Sequence, residues 1–142
     1  MGLFGIGIEK KQAQALAPQW LKIANDSANL VNKTTNPEVF FNRYDLILEM
    51  MDNLSGAERY VKFKGVKPHI QKKQLIEDKE HQTMLFIDRA YQKAKEEAAT
   101  KTTEKGATAF ITRFFQKMEK YYPKMAKSNI DHIESLKKEN MG

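Results

Sequence analysis

Apolar residues recur three and four positions apart along most of this chain, and no alternating run lasts long enough to lay down a strand. Leu16, Trp20, Ile23, Ala24, Ser27, Leu30 and Val31 keep helical spacing and predict a first helix from about Gln12 to Lys33. Pro18 falls early in that span, where a first-turn proline is tolerated; a helix starting well upstream of it is expected to kink there. Thr34-Thr35-Asn36-Pro37 reads as a stop and a restart, with Asn36 as N-cap, Pro37 at the first helical position and Glu38 favourable to the helix dipole. Phe40, Tyr44, Ile47, Leu48, Met51 and Leu54 then carry a second helix to about Tyr60, with Ser55-Gly56 as an earlier stopping point.

Residues 61–69, VKFKGVKPH, break the rhythm with Gly65 and Pro68. Pro68 opens either one long helix or two shorter ones across residues 68–99; the later part carries Leu85, Ile87, Ala90, Tyr91, Ala94 and Ala98. Three threonines and Gly106 mark a boundary at residues 100–106, because these residues favour caps and turns over helix interior. Phe110, Ile111, Phe114, Phe115, Met118 and Tyr121 predict a fourth helix ending near Pro123. Ser128 and Asp131 resemble a capping box opening a fifth, with Ile130, Ile133 and Leu136 on its apolar side. Each stripe must be buried against another, so the fold class is all-α: a single-domain bundle of about five helices over residues 12–142, preceded by an apolar and basic segment, 1–11, that is flexible or docked. Trp20, Phe40, Phe41, Tyr44, Phe86, Phe110, Phe114 and Phe115 are the expected aromatic core, each able to bury on the order of 150–250 Å².

Composition narrows the chemistry. The 142 residues contain no cysteine, which removes disulfides, thiolate nucleophiles and thiolate metal sites. The start, MGLFGIGI, has no basic region before it and runs straight into Glu9-Lys10-Lys11, the reverse of a secretory signal; a cytoplasmic setting is expected. Leu3, Phe4, Ile6 and Ile8 offer a peripheral membrane anchor as a further reading. The net charge of +6 is local: residues 1–60 carry six basic and seven acidic groups, 61–80 six and three, and 106–142 seven and four.

The strings FFNRYDLILE from Phe40, FIDR from Phe86 with Tyr91, and TEKG from Thr103, followed by Phe114-Phe115 and Asn129-Ile130, resemble a group of small uncharacterised all-helical proteins of Gram-positive bacteria and their phages, over roughly residues 36–137. The resemblance implies a bacterial cytosolic or mobile-element setting and assigns a role to no residue.

A catalytic reading finds little to build on. His81 follows Glu77 and Asp78 at helical spacing, but the second carboxylate–histidine element of a di-metal bundle is missing, and Glu77 to Glu80 read as a solvated face. No nucleophile elbow, phosphate-binding loop or dinucleotide fingerprint occurs. The expectation is therefore a protein that is not an enzyme, with no cofactor, no metal and no small-molecule substrate. Arg43, Asp45, Asp88 and Arg89 lie within apolar helical stretches and are candidate polar contacts between helices, an arginine meeting an aspartate.

The expected function is a non-catalytic interaction or accessory module that docks a protein partner or a second copy through an amphipathic helix face. The segment from Phe110 to Tyr122 is favoured, with Tyr121, Tyr122 and Met125 as contacts. The alternative is nonspecific nucleic-acid binding through Lys62, Phe63, Lys64, Lys67, Lys72 and Lys73, and through Lys117, Lys120 and Lys124.

Overall fold

The computed structural model describes residues 9–141, and the expected apolar anchor at residues 1–8 lies outside them. The fold is all-α: α1 (Lys10–Lys33), α2 (Pro37–Gly56), α3 (Pro68–Ala98), α4 (Glu104–Glu119) and α5 (Lys127–Met141), with one 3-10 turn, Tyr122–Lys124, between the last two. No helix among the described residues is long and apolar enough to cross a membrane.

Helix α1 starts at Lys10, so Lys10 and Lys11 belong to it rather than to a separate leading segment, and Pro18 is interior. The expectation of a first-turn proline is thereby corrected: Pro18 brings no N–H to the carbonyl of Gln14, one turn back. Its buried positions, Ala13, Ala17, Trp20, Ala24, Ser27 and Val31, form one stripe. Leu30, expected on that stripe, is 41% exposed because Ser27 and Val31 take the inward positions around it.

The junction before α2 is built as read. Asn36 Oδ1 accepts from the Glu38 backbone N–H at 2.9 Å, and the Asn36 carbonyl accepts from Phe40 N at 3.0 Å. The helix ends at Gly56, the earlier of the two expected stops, and turn hydrogen bonds from Ala57 and Glu58 tighten the exit. Gly65 has φ +83°, a left-handed conformation that glycine adopts without cost, and so turns the connection back toward Pro68.

Residues 68–98 form one uninterrupted helix of 31 residues. Leu85, expected on its apolar stripe, is 45% exposed, while Phe86 and Ile87 are fully buried. Thr103 caps α4, accepting from Gly106 N at 3.0 Å; a Cβ at Gly106 would sit 3.0 Å from the Thr103 hydroxyl oxygen, so this cap works best with glycine. The α5 capping box is not formed. The helix starts at Lys127, the Ala126 carbonyl accepts from Asn129 and Ile130, Ser128 donates to Glu80, and Asp131 pairs with Lys127 at 2.9 Å.

The described residues divide into two compact units: those up to Lys33 with 42–78, and 34–41 with those from Lys79 onward. In the first, Tyr44 of α2 donates to the Leu75 carbonyl of α3, and Asp52 accepts from Lys72 at 2.6 Å. Burial, with the Asp78 carboxylate adding to it, pushes the Tyr44 phenol up to about 12. In the second, Phe40 stacks on Phe86 with centroids 4.4 Å apart, Phe41 meets both edge-on, and Tyr91 contacts Phe114 and Phe115. Six of the eight expected core aromatics are buried; Phe110 and Phe114 are only half-buried.

Candidate functional site

The reason Phe110 and Phe114 stay half-exposed is a groove in the second unit. Helix α4 turns Ile111, Phe115 and Met118 inward. Phe110 and Phe114 lie beside that stripe, and the chain continues to Tyr121 on the same side. Opposite them stand Ala90 and Ala94 of α3 and the start of α2 at Thr35 to Glu38. Alanine on α3 leaves room that a larger side chain would fill. The resulting cavity holds about 480 Å³, within the range of about 300–1,000 Å³ that ligand-binding clefts take.

Its rim is cationic. Lys93, Arg113, Lys117 and Lys120 line it, against Glu38 and Glu97. Lys93 is matched with Glu97 at 3.9 Å, one helical turn away. Arg113, Lys117 and Lys120 are exposed and have no ion-pair partner among the described residues. Their spacing of four and three places them along one edge of α4, beside the Phe110, Phe114 and Tyr121 line. The floor is ordered from within: Phe114 meets Phe115 edge-on at 5.1 Å, Phe41 stacks on Tyr121 at 5.2 Å, and the Lys101 ammonium lies 5.0 Å from the Phe110 ring centre.

The three residues expected to make partner contacts are all half-buried. Tyr121 gives one ring face to Phe41 and lines the groove. Tyr122 turns away from it, donating to Glu134 of α5 at 2.7 Å, and burial with this carboxylate pushes its phenol well above the usual range. Phe110, Phe114 and Arg113, which line the groove, were not among the expected contacts. Their signal was present in the sequence as two rings, Phe110 and Phe114, each followed by a cation at i+3, but identical spacing serves a core.

The expected lysine patches separate in the structure. Lys67 pairs with Glu58 at 3.2 Å and Lys72 with Asp52 at 2.6 Å, so part of the residue 62–73 charge is matched internally. Glu58 also contacts His69 at 3.1 Å; the Lys67 and His69 contacts together hold its carboxyl below the usual range. Lys62, Lys64 and Lys73 are exposed and Phe63 is half-buried. Lys117 and Lys120 belong to the groove rim, while Lys124 lies exposed in the 3-10 turn.

Two of the candidate polar residues reach across to other segments of the second unit. Asp88 reaches His132 of α5 at 2.6 Å, and the Arg89 Nε donates to the Thr34 carbonyl at 3.0 Å, so the two neighbours on α3 secure different segments. Arg43 is half-buried and Asp45 exposed. Asn129, buried, donates to the Glu80 carbonyl at 3.0 Å, a joint that sequence spacing did not indicate. Glu77, Asp78 and His81 are all exposed, and no group of three or more potential metal ligands occurs among the described residues.

No family model, curated protein or solved structure matches the chain.

Proposed function

We propose that this protein is a non-catalytic interaction module of the bacterial cytoplasm, and that the groove along α4 takes an acidic amphipathic helix from a protein partner. The observation carrying this reading is the pairing of a half-buried aromatic floor with three cations, Arg113, Lys117 and Lys120, that have no ion-pair partner among the described residues. An isolated cation on a helix face is commonplace; an aligned row beside half-buried rings specifies both chemistries of a ligand. From Phe110 to Tyr121 the face runs about 16 Å, or three helical turns, which suits apolar anchors at i, i+3 or i+4, and i+7 with carboxylates along one flank. The ring floor supplies apolar burial, and the cations fix orientation and speed encounter more than they add affinity. Phe110, Phe114 and Tyr121 are the anchoring contacts, with Met125 half-buried just beyond them.

The test is a fluorescein-labelled helical peptide of about 14 residues, with Leu and Phe on one face and Glu on the flanks, titrated with the full chain and mapped by amide chemical shifts. Micromolar binding with shifts concentrated from Phe110 to Tyr121 is expected. Absence of binding at millimolar peptide, or equal binding of a peptide with Lys flanks, overturns the reading. A chain that is dimeric by light scattering and covers the same residues with its own copy also overturns the choice of occupant.

A further inference from the structure

We propose that the first unit carries a separate site for single-stranded nucleic acid, in which Tyr60 and Phe63 stack bases while Lys10, Arg59 and Lys62 contact phosphates. These residues line a groove between α1 and the connection that follows α2, with Pro18 and Leu21 on the α1 wall. Its volume, about 1190 Å³, exceeds the upper end of about 1,000 Å³ for small-ligand clefts and suits a short stretch of polymer.

The charge balance favours a polyanion. Lys10, Arg59 and Lys62 are exposed and have no ion-pair partner among the described residues. Glu58, the acidic residue of the lining, is already engaged by Lys67 and His69, so it does not neutralise them. Exposed Lys64 extends the charge beyond the groove.

The rings separate nucleic acid from other polyanions. Tyr60 and Phe63 are half-buried and line the groove rather than filling the core. The Arg59 guanidinium already lies 5.1 Å from the Tyr60 ring centre, a cation-on-ring arrangement that a base can extend. A polyglutamate-like peptide would use the cations and leave the rings idle, whereas a chain of bases uses charge and ring alternately.

The connection is braced rather than loose. Tyr60 N donates to the Ala57 carbonyl at 2.9 Å, Lys67 meets Glu58, and the Gln71 side-chain amide donates to the Val66 carbonyl at 2.9 Å. Pre-set geometry lowers the ordering cost of binding. The site stands on residues none of which belongs to the α4 groove, so either proposal can fail alone.

Anisotropy of a labelled oligothymidylate with the full chain, across a salt series, tests it. Binding is expected at low salt, with affinity falling with salt at a log–log slope of about −2, as three phosphate contacts on a single strand require. Arg59→Glu with Lys62→Glu should weaken binding roughly tenfold or more and flatten the slope. Phe63→Leu, which keeps apolar volume, should weaken it about fivefold without changing the slope, since stacking releases no counterions. Tyr60→Leu gives the same readout should Phe63→Leu lower the melting temperature. Lys117→Glu with Lys120→Glu should leave binding unchanged. No binding at low salt, indifference to both ring variants, loss through the α4 variant, or equal competition by polyglutamate would each overturn the proposal.

Discussion

In the first unit the buried side of α1 is mostly small: Ala13, Ala17, Ala24 and Ser27 around Trp20. In the second unit large rings fill the interior, with Phe40 stacked on Phe86, Phe41 at their edges, and Tyr91 against Phe115. The polar atoms differ as well. Ser27 Oγ, Asn53 Oδ1 and Ser55 Oγ of the first unit are buried with no hydrogen-bond partner among the described residues. In the second, Thr83 and Asn129 donate to the Lys79 and Glu80 carbonyls, although Asn129 Oδ1 is left over. Small residues permit close packing of backbones but make little directional contact; rings and paired polar groups hold one arrangement against its neighbours. The better-specified unit also holds the better-defined groove, because ring packing fixes where Phe114 and Tyr121 stand and Lys101 lies over Phe110.

Four changes probe that contrast. Phe86→Ala should destabilise the chain most, by about 3–5 kcal/mol, since it removes a fully buried ring and leaves its stacking partner facing a void. Urea denaturation reads it, and a loss under about 1 kcal/mol would deny the ring ladder its part. Pro18→Ala should stabilise by about 2 kcal/mol, restoring an α1 backbone donor for the Gln14 carbonyl, with some offset from the freer unfolded chain. A destabilised variant would mean that the proline ring's own contacts outweigh the missing bond. Ser27→Ala should add about 1 kcal/mol by deleting a buried hydroxyl without a partner. Its thermal melt settles the sign, and a lower melting temperature would show that the hydroxyl is satisfied in solution.

The smallest effect is with pH. Burial raises the folded-state phenol of Tyr44 from about 10 to about 12, so its contribution is complete below its unfolded value near 10 and is lost as pH rises from there toward 12. Stability measured between pH 9.5 and 11.5 should fall less steeply in Tyr44→Phe than in the parent. Parallel curves would assign the alkaline loss to other groups.

Helices were legible because their signals are local. Asn36-Pro37-Glu38 capped α2 as spelled, and Thr103 with Gly106 opened α4 at the threonine-rich boundary. The misreadings share a cause: a stripe shows which side of a helix is apolar, not how deep each position lies. Leu30 and Leu85 kept helical spacing yet face solvent, and Phe110 and Phe114 kept core spacing yet form a groove floor. Ser128 had the right neighbours for a cap but was drawn to Glu80, 48 residues away, and Asp88 was drawn to His132, 44 residues away. Such long-range partners leave no trace in periodicity. The same holds for the groove, whose opening depends on Ala90 and Ala94 standing opposite α4.

The most direct measurement of the α4 account is a charge exchange. Lys117→Glu with Lys120→Glu is made in the full chain, and its affinities for the Glu-flanked and Lys-flanked peptides are compared with those of the parent by anisotropy. The account predicts that the preference inverts: the Glu-flanked peptide loses affinity roughly tenfold and the Lys-flanked peptide gains. Unchanged affinity for both peptides would contradict it.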